Sequence, residues 1–360
     1  LVLEVRRIGT DEGRLISDQE REQLASLSGI EDIEAWGNAM GQIQMSERLR
    51  TALLENKREG IEVDEVVGYA ATFDTLGKQT EHNRTFKRAV ALVQLRDRAA
   101  TALADAALQP QVGPRGLAFL MDVLVGAETI AAQEELLRIL DSEKVRNASE
   151  LIRAGALSRL GFIVQPTEKV LRRAQLAYER HGAGESTLGD VSTLTLGSVV
   201  RHLEPVRARK AVTSLMNGLE RAKSPTVIKS HLLGLANAQA EEALPEIIER
   251  TRHSESYVRG ATATALRSFP LPSTEPHLLR LLLDEGSAVQ AAALRAFSDV
   301  RPSAEGCDRI VAAVAQKRIR STNLILAHSA LESCESTTSD QFFGAIRDRK
   351  DLEPDRKSVV

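Results

Sequence analysis

Seven histidines, His82, His181, His202, His231, His253, His277 and His328, are the first residues to weigh, because paired imidazoles could hold a metal. No two of them stand at i, i+3 or i+4, and the only cysteines, Cys307 and Cys334, lie 27 positions apart, so no zinc spacing exists. Each histidine reads better as a solvated or hydrogen-bonded polar residue than as a ligand. Carboxylates are plentiful. Among Glu241, Glu242, Glu246 and Glu249 the i, i+3/i+4 spacing places several on one helix face, but Arg250 and Arg252 stand beside them, which describes a hydrated surface rather than acid–base machinery. A di-iron bundle would need a Glu-x-x-His pair from each of two helices, and there is none. Neither a Gly-x-Gly-x-x-Gly turn, a Walker-type loop nor a Gly-x-Ser-x-Gly elbow is present. We therefore expect no catalytic, cofactor-binding or metal-binding residue, and no enzyme.

Binding chemistry is better represented. Arg259, Arg267 and Arg295 recur on the second helices of predicted hairpins and are the candidate partner-binding residues. They could line a groove for an acidic or helical partner. Alternatively they could form a ladder of bonds to carboxylates and carbonyls that locks successive repeats, and for Arg259, directly after Val258, the ladder is the favoured reading. Basic clusters at Arg201 to Lys210, at Lys317 to Arg320 and at Arg347 to Lys350 fit helix C-termini, where cations complement the dipole. Asn83-Arg84-Thr85 and Asn147-Ala148-Ser149 fit N-glycosylation, although Asn147 serves equally as a helix N-cap. Cys307 and Cys334 fall on successive helices of one hairpin, so a disulfide is conceivable; two buried thiols acting as small apolar residues is the favoured reading.

The elements that must carry these residues announce themselves by a period. Val227, Ser230, Gly234 and Leu235 recur after 31 residues as Val258, Ala261, Ala265 and Leu266, and again as Val289, Ala292, Ala296 and Phe297. Offsets of 0, +3, +7 and +8 trace one helix face, and its order is large, small, small, large. Small residues admit a neighbouring helix closely, and the large ones fill the space beside it. Such a period indicates stacked helical hairpins, each burying its apolar face against the next.

Composition agrees. In 360 residues, aromatics make up only 3%, which suits helix-on-helix packing by Ala and Leu and argues against base-stacking surfaces. A net charge of −3 leaves no electrostatic footprint for nucleic acid. No apolar run approaches the length of about 20 residues that a membrane span needs.

Along the chain, residues 1–8 alternate like a stray strand, and Ser17 with Glu20 has capping-box spacing. Helices are predicted over 31–58, Asp64 to Phe73 and 79–108. Hairpins follow at about 114–142, 147–181, 186–222, 224–252, 255–284, 287–315 and 320–334. Ser224-Pro225 reads as an N-cap followed by Pro at the first helical position. The chain opens on Leu1-Val2-Leu3 without Met or signal peptide, and we expect it to be a piece of a longer protein.

The stretch from Ser254 to Arg267, with its polar turn, Val258-Arg259, alanines and Leu266, resembles the second helix of a HEAT-type repeat; Gly286 to Phe297 repeats the theme with Gln290 in place of the Arg. A longer order of features is similar to the helical domain of the vitellogenin-like large lipid transfer proteins. It comprises Ala127 to Leu140, Gln165-Pro166-Thr167-Glu168, Leu194 to Gly197, Leu233 to Ala238, Val258-Arg259, Ala265 to Arg267 and a last helix at 320–333. That resemblance implies a curved double layer of helices wrapping lipid-binding sheets supplied elsewhere in the chain.

The expected fold is all-α: a right-handed superhelix (α-solenoid) of antiparallel HEAT-like helix pairs over 111–335, after an irregular helical region at 1–110 and before a C-terminal helix and charged tail at 336–360. The expected function is a non-catalytic scaffold that binds a protein partner or further domains of its own polypeptide. The resemblance adds lipid, reached through those domains, and a secreted or extracytoplasmic location. The alternative is a stand-alone interaction scaffold in a cytoplasmic complex, with nucleic acid along the groove a distant third.

Overall fold

The computed structural model describes residues 47–73 and 79–347. Nineteen α-helices and four short 3-10 turns make up these residues, and no strand occurs among them. The strand expected at 1–8, the Ser17–Glu20 box, the first part of the 31–58 helix and the tail from Asp348 onward lie outside the described residues. Two compact units divide between Ala177 and Tyr178.

The first unit holds α1 (Glu47–Glu59), α2 (Val63–Thr72), α3 (Gln79–Leu95), α4 (Asp97–Leu108), α5 (Pro114–Ala127), α6 (Ile130–Leu140), α7 (Glu143–Arg146), α8 (Glu150–Ser158) and most of α9 (Glu168–His181). Helix α3 packs on α1 and α5, and α4 packs on α5 and α6. Leu92, Leu103, Leu120, Leu124 and Leu136 form the buried seam. The single helix expected over 79–108 is two. Arg96 adopts an extended conformation (φ −138°, ψ 97°) and its guanidinium pairs with Glu62 at 3.0 Å, so the chain breaks without any Gly or Pro. Asn147 closes α7 instead of opening α8, whose N-cap is the Ser149 hydroxyl accepting from Ile152 N–H. Lys144 donates to the carbonyls of Ala107, Gln109 and Val112 at 2.8, 2.6 and 2.8 Å and so ties the end of α4 to α7.

The second unit holds α10 (Thr187–Val200), α11 (Pro205–Arg221), α12 (Pro225–Ala238), α13 (Leu244–Glu249), α14 (Ser256–Leu266), α15 (Leu271–Leu282), α16 (Ser287–Val300), α17 (Ala304–Ala315), α18 (Leu324–Leu331) and α19 (Ser336–Arg347). Pro205 and Pro225 occupy first helical turns, where the missing N–H is no loss. Even-numbered helices α10, α12, α14, α16 and α18 stack one on the next in a row, and α15, α17 and α19 stack in a second row. Connections alternate between the rows, which is the double layer of a solenoid.

The 31-residue face is what holds the first row together. Eleven of its twelve residues are buried, and Ala292 is half-buried. At the small position the backbones meet: a Cβ on Gly197 would stand 2.0 Å from the Gly234 carbonyl oxygen, and one on Gly234 2.9 Å from that of Thr193. Only glycine permits α10 and α12 to lie this close; at the equivalent positions of α14 and α16 stand the buried Ala265 and Ala296.

Cys307 and Cys334 are joined in a disulfide with Cα atoms 6.3 Å apart. This corrects the reading of two free thiols. The short α18 turns the chain back so that the residues after it reach the start of α17.

Candidate functional site

Arg259 stands at the fourth residue of α14, and four of its five N–H donors are engaged. Nε and Nη2 donate to the Asp284 carboxylate at 2.6 and 2.9 Å, and Nη1 donates to the carbonyls of His253 and Ser254 at 2.9 and 2.8 Å. Both side chains are about nine-tenths buried, at 11% and 10% exposure. Burial alone would raise the Asp284 carboxyl, but the Arg259 guanidinium and the Gly286 N–H outweigh it and hold the group below the ordinary carboxylate value.

The same position carries the same task elsewhere. Gln290, fourth in α16, donates to the carbonyls of Asp284 and Arg318 at 2.8 and 2.9 Å and accepts from Arg320 N–H at 3.1 Å. In the first unit Gln133, fourth in α6, donates to the Gln165 carbonyl and accepts from Thr167 N–H, both at 2.9 Å. Gln133 and Gln290 thus satisfy backbone groups of the turns that lead into α9 and α18, whereas Arg259 satisfies two carbonyls of the turn before its own helix and reaches the following turn through the Asp284 carboxylate.

Arg267 and Arg295 are placed differently. Arg267 pairs with Asp299 at 2.8 Å across α14 and α16, with both side chains about half exposed. Arg295 is exposed and has no ion pair among the described residues. Between them the open side of the row shows Gly260, Thr264 and Ala292 at intermediate exposure, and Tyr257 and Ile325 are exposed at the starts of α14 and α18. Lys229 donates to the Tyr257 hydroxyl at 2.9 Å, linking α12 to α14 along this rim. The surface is therefore small-residued, with charge and two apolar side chains at its edges.

A second feature of this unit is not readable from sequence spacing. A cleft of about 540 Å³ is walled by Tyr178, Asn217, Gly218, Arg221 and His231. Tyr178 Oη lies 2.9 Å from the Ser214 carbonyl, to which it donates, and 3.0 Å from His231 Nε2, while His231 Nδ1 lies 2.8 Å from the Val227 carbonyl. Burial pushes the Tyr178 hydroxyl up to about 12, with Arg221 opposing it weakly. The phenol keeps its proton at neutral pH and forms a hydrogen-bonded junction with the imidazole. Its one signal in the chain is a helix-interior glycine, Gly218, but nothing in the spacing connects that glycine to Tyr178.

No group of three His, Cys, Asp or Glu side chains among the described residues could hold a metal ion. No helix among them is long and apolar enough to cross a membrane.

Family comparison agrees with the repeat architecture. The HEAT repeats family matches residues 212–298, the stretch that contains the Arg259 and Gln290 junctions. No curated protein shows significant sequence similarity to the chain. Among solved structures, an engineered protein is similar with 16% identity and a TM-score of 0.34, covering 92% of both chains. A Kap121p mutant is similar with 12% identity and a TM-score of 0.47, covering 99% of this chain and 40% of that one. Kap121p bound to RanGTP gives 12% identity and a TM-score of 0.44, covering 92% and 39%.

Proposed function

We propose that this chain is a non-catalytic HEAT-type scaffold that binds a protein partner on the open side of the row α10, α12, α14, α16 and α18, within residues 111–335. One observation carries the reading. Repeat after repeat, the polar side chains that enter the layer are consumed at the turns, as Arg259 and Gln290 are, while Arg267 and Arg295 are left outward on an otherwise small-residued face. A surface of this kind can take a helix or extended segment along its length, with the arginines meeting acidic groups at the edge.

The test is affinity purification of the full-length protein beside an Arg267→Glu, Arg295→Glu double variant. A stoichiometric partner present with the first and lost with the second, at unchanged melting temperature, is the expected result. The same partner in equal amount with both would sink the assignment of this face.

The finer reading, the helical part of a lipid-transfer protein, rests on the sequence resemblance. The Cys307–Cys334 bond is compatible with the oxidising compartment that reading requires, while the HEAT repeats match at residues 212–298 supports the protein scaffold without it. Mass spectrometry of an organic extract of the full-length protein decides it. Stoichiometric lipid supports the transport role, and none leaves the protein scaffold.

A further inference from the structure

Away from that row, Arg280 on α15 is a charge without a partner. Its Nε and Nη2 are shielded from solvent, and neither has a hydrogen-bond acceptor among the described residues. Its charged neighbours repel it. Burial and then Arg252 destabilise the Arg280 cation, and burial followed by Arg280 and Arg252 holds His277 below its ordinary value. Glu275 is held by Ser303, Asp284 by Arg259, Glu305 by Arg309 and Glu249 by Arg250, and none of them pairs with Arg280. The side chain as a whole is only half-buried: its inner edge lacks an acceptor, its outer edge faces the solvent, and no ion pair reaches it among the described residues.

Beside Arg280 runs a groove of about 410 Å³ between α15 and α17. Pro276, Leu279, Leu283 and Ala312 form its apolar walls, and Leu283 is 43% exposed. Arg309 stands at its edge, already neutralised by Glu305 at 2.8 Å. The groove is thus apolar along its floor and cationic at one flank.

We propose that this groove docks an acidic amphipathic helix of a partner protein, with leucine-type side chains on Leu279 and Leu283 and a carboxylate on Arg280. Charge complementarity selects the occupant: a basic or neutral helix would cover the solvent-facing edge of the Arg280 cation without pairing it, whereas a carboxylate gives that edge an acceptor. The surface lies on the second row of helices, so it stands or falls apart from the role proposed for Arg267 and Arg295.

The probe is a fluorescein-labelled helical peptide of about 18 residues, five turns, with a leucine stripe flanked by glutamates. Its control has glutamine for every glutamate. The full-length protein is expected to bind the acidic peptide saturably, at least about tenfold more tightly than the control and more weakly as salt rises. Arg280→Met and Leu283→Ser should each weaken binding about tenfold, and the Arg267→Glu, Arg295→Glu variant should bind as the parent does. Because its charge is unpaired, Arg280→Met should melt no lower than the parent. Absence of saturable binding, or binding indifferent to both groove substitutions, overturns the proposal. So does an Arg280→Met variant that is destabilised yet binds normally, since that outcome makes the arginine structural.

Discussion

The Tyr178 hydroxyl meets the His231 ring 3.0 Å away across 53 residues of sequence, and Gly218 leaves the space in which they meet. A Cβ at 218 would stand 2.2 Å from both Tyr178 Oη and His231 Nε2. With the ring neutral, Nδ1–H donates to Val227, and the single Tyr178 proton has two acceptors in reach, Ser214 O and Nε2. Gly218→Ala must force these groups apart, and we expect a loss of about 1–3 kcal/mol in urea unfolding.

The same junction sets a pH dependence. Burial holds His231 below its ordinary 6.5, although its bond to the Val227 carbonyl favours the charged form. The unfolded chain therefore takes up the proton first. This contribution to stability is full above about pH 6.5 and declines as the pH falls below it. His277, depressed by burial and by Arg280 and Arg252, acts in the same direction. Thermal melts between about pH 7.5 and about pH 5 should show a falling midpoint, with a shallower fall in His231→Gln. An unchanged slope in that variant would contradict the account.

Arg259 and Asp284 are each buried by the contact they make, so removing one strands the other. Arg259→Ala is expected to cost about 3–5 kcal/mol, against about 0–1 kcal/mol for Arg267→Ala, whose pair with Asp299 is half exposed. Arg259→Lys keeps the charge but cannot reach two carboxylate oxygens and two carbonyls at once, and should fall between. Because Asp284 is held below its ordinary 3.8, the pair's contribution is complete above that pH and lost as acid protonates the carboxyl. A double-mutant cycle with Asp284→Asn, run near neutrality and again near pH 3, measures both effects.

How much of this was legible depends on where the information lies. Val227, Val258 and Val289 repeat in the chain itself, so the stacked row could be read directly, and Gln290 in the register of Arg259 marked a shared position. The partners were not readable, because Gln290 bonds the carbonyls of Asp284 and Arg318, and a carbonyl leaves no trace in residue type. The break at Arg96 was hidden for a related reason: a distant acid, Glu62, accompanies it instead of a local Gly or Pro. Tyr178 and His231 meet only through the stacking of successive hairpins, which no local spacing encodes. For Cys307 and Cys334 the spacing admitted both outcomes, and the path of α18 decides between them.

Two glycines separate close packing from conformational cost. Gly197→Ala would place a methyl 2.0 Å from the Gly234 carbonyl, pushing α10 off α12 along the whole face; about 2–3 kcal/mol or more should be lost. Gly68, within α2, is exposed, and a methyl added there would meet nothing within 4 Å. Gly68→Ala should therefore stabilise the first unit by about 0.5–1 kcal/mol, the ordinary helix-interior difference. Denaturant titrations of both variants test the contrast, and equal losses in the two would refute it.

The disulfide makes the last hairpins sensitive to reductant. Cys307 sits at the start of α17 and Cys334 follows α18, so the bond closes a loop with a sequence separation of 27. A cross-link of that span removes unfolded-state freedom equivalent to about 3–4 kcal/mol. Each helix here is stabilised mainly by its neighbours, so the loss on reduction should be local, loosening α17 to α19 before the row that contains Arg259. Hydrogen exchange with and without dithiothreitol should then show protection lost over residues 304–347 and retained over 256–300. A Cys307→Ser, Cys334→Ser variant should match the reduced protein. Unchanged exchange at 304–347 on reduction would mean that packing of Ile310, Val314 and Phe342 alone holds the end of the chain.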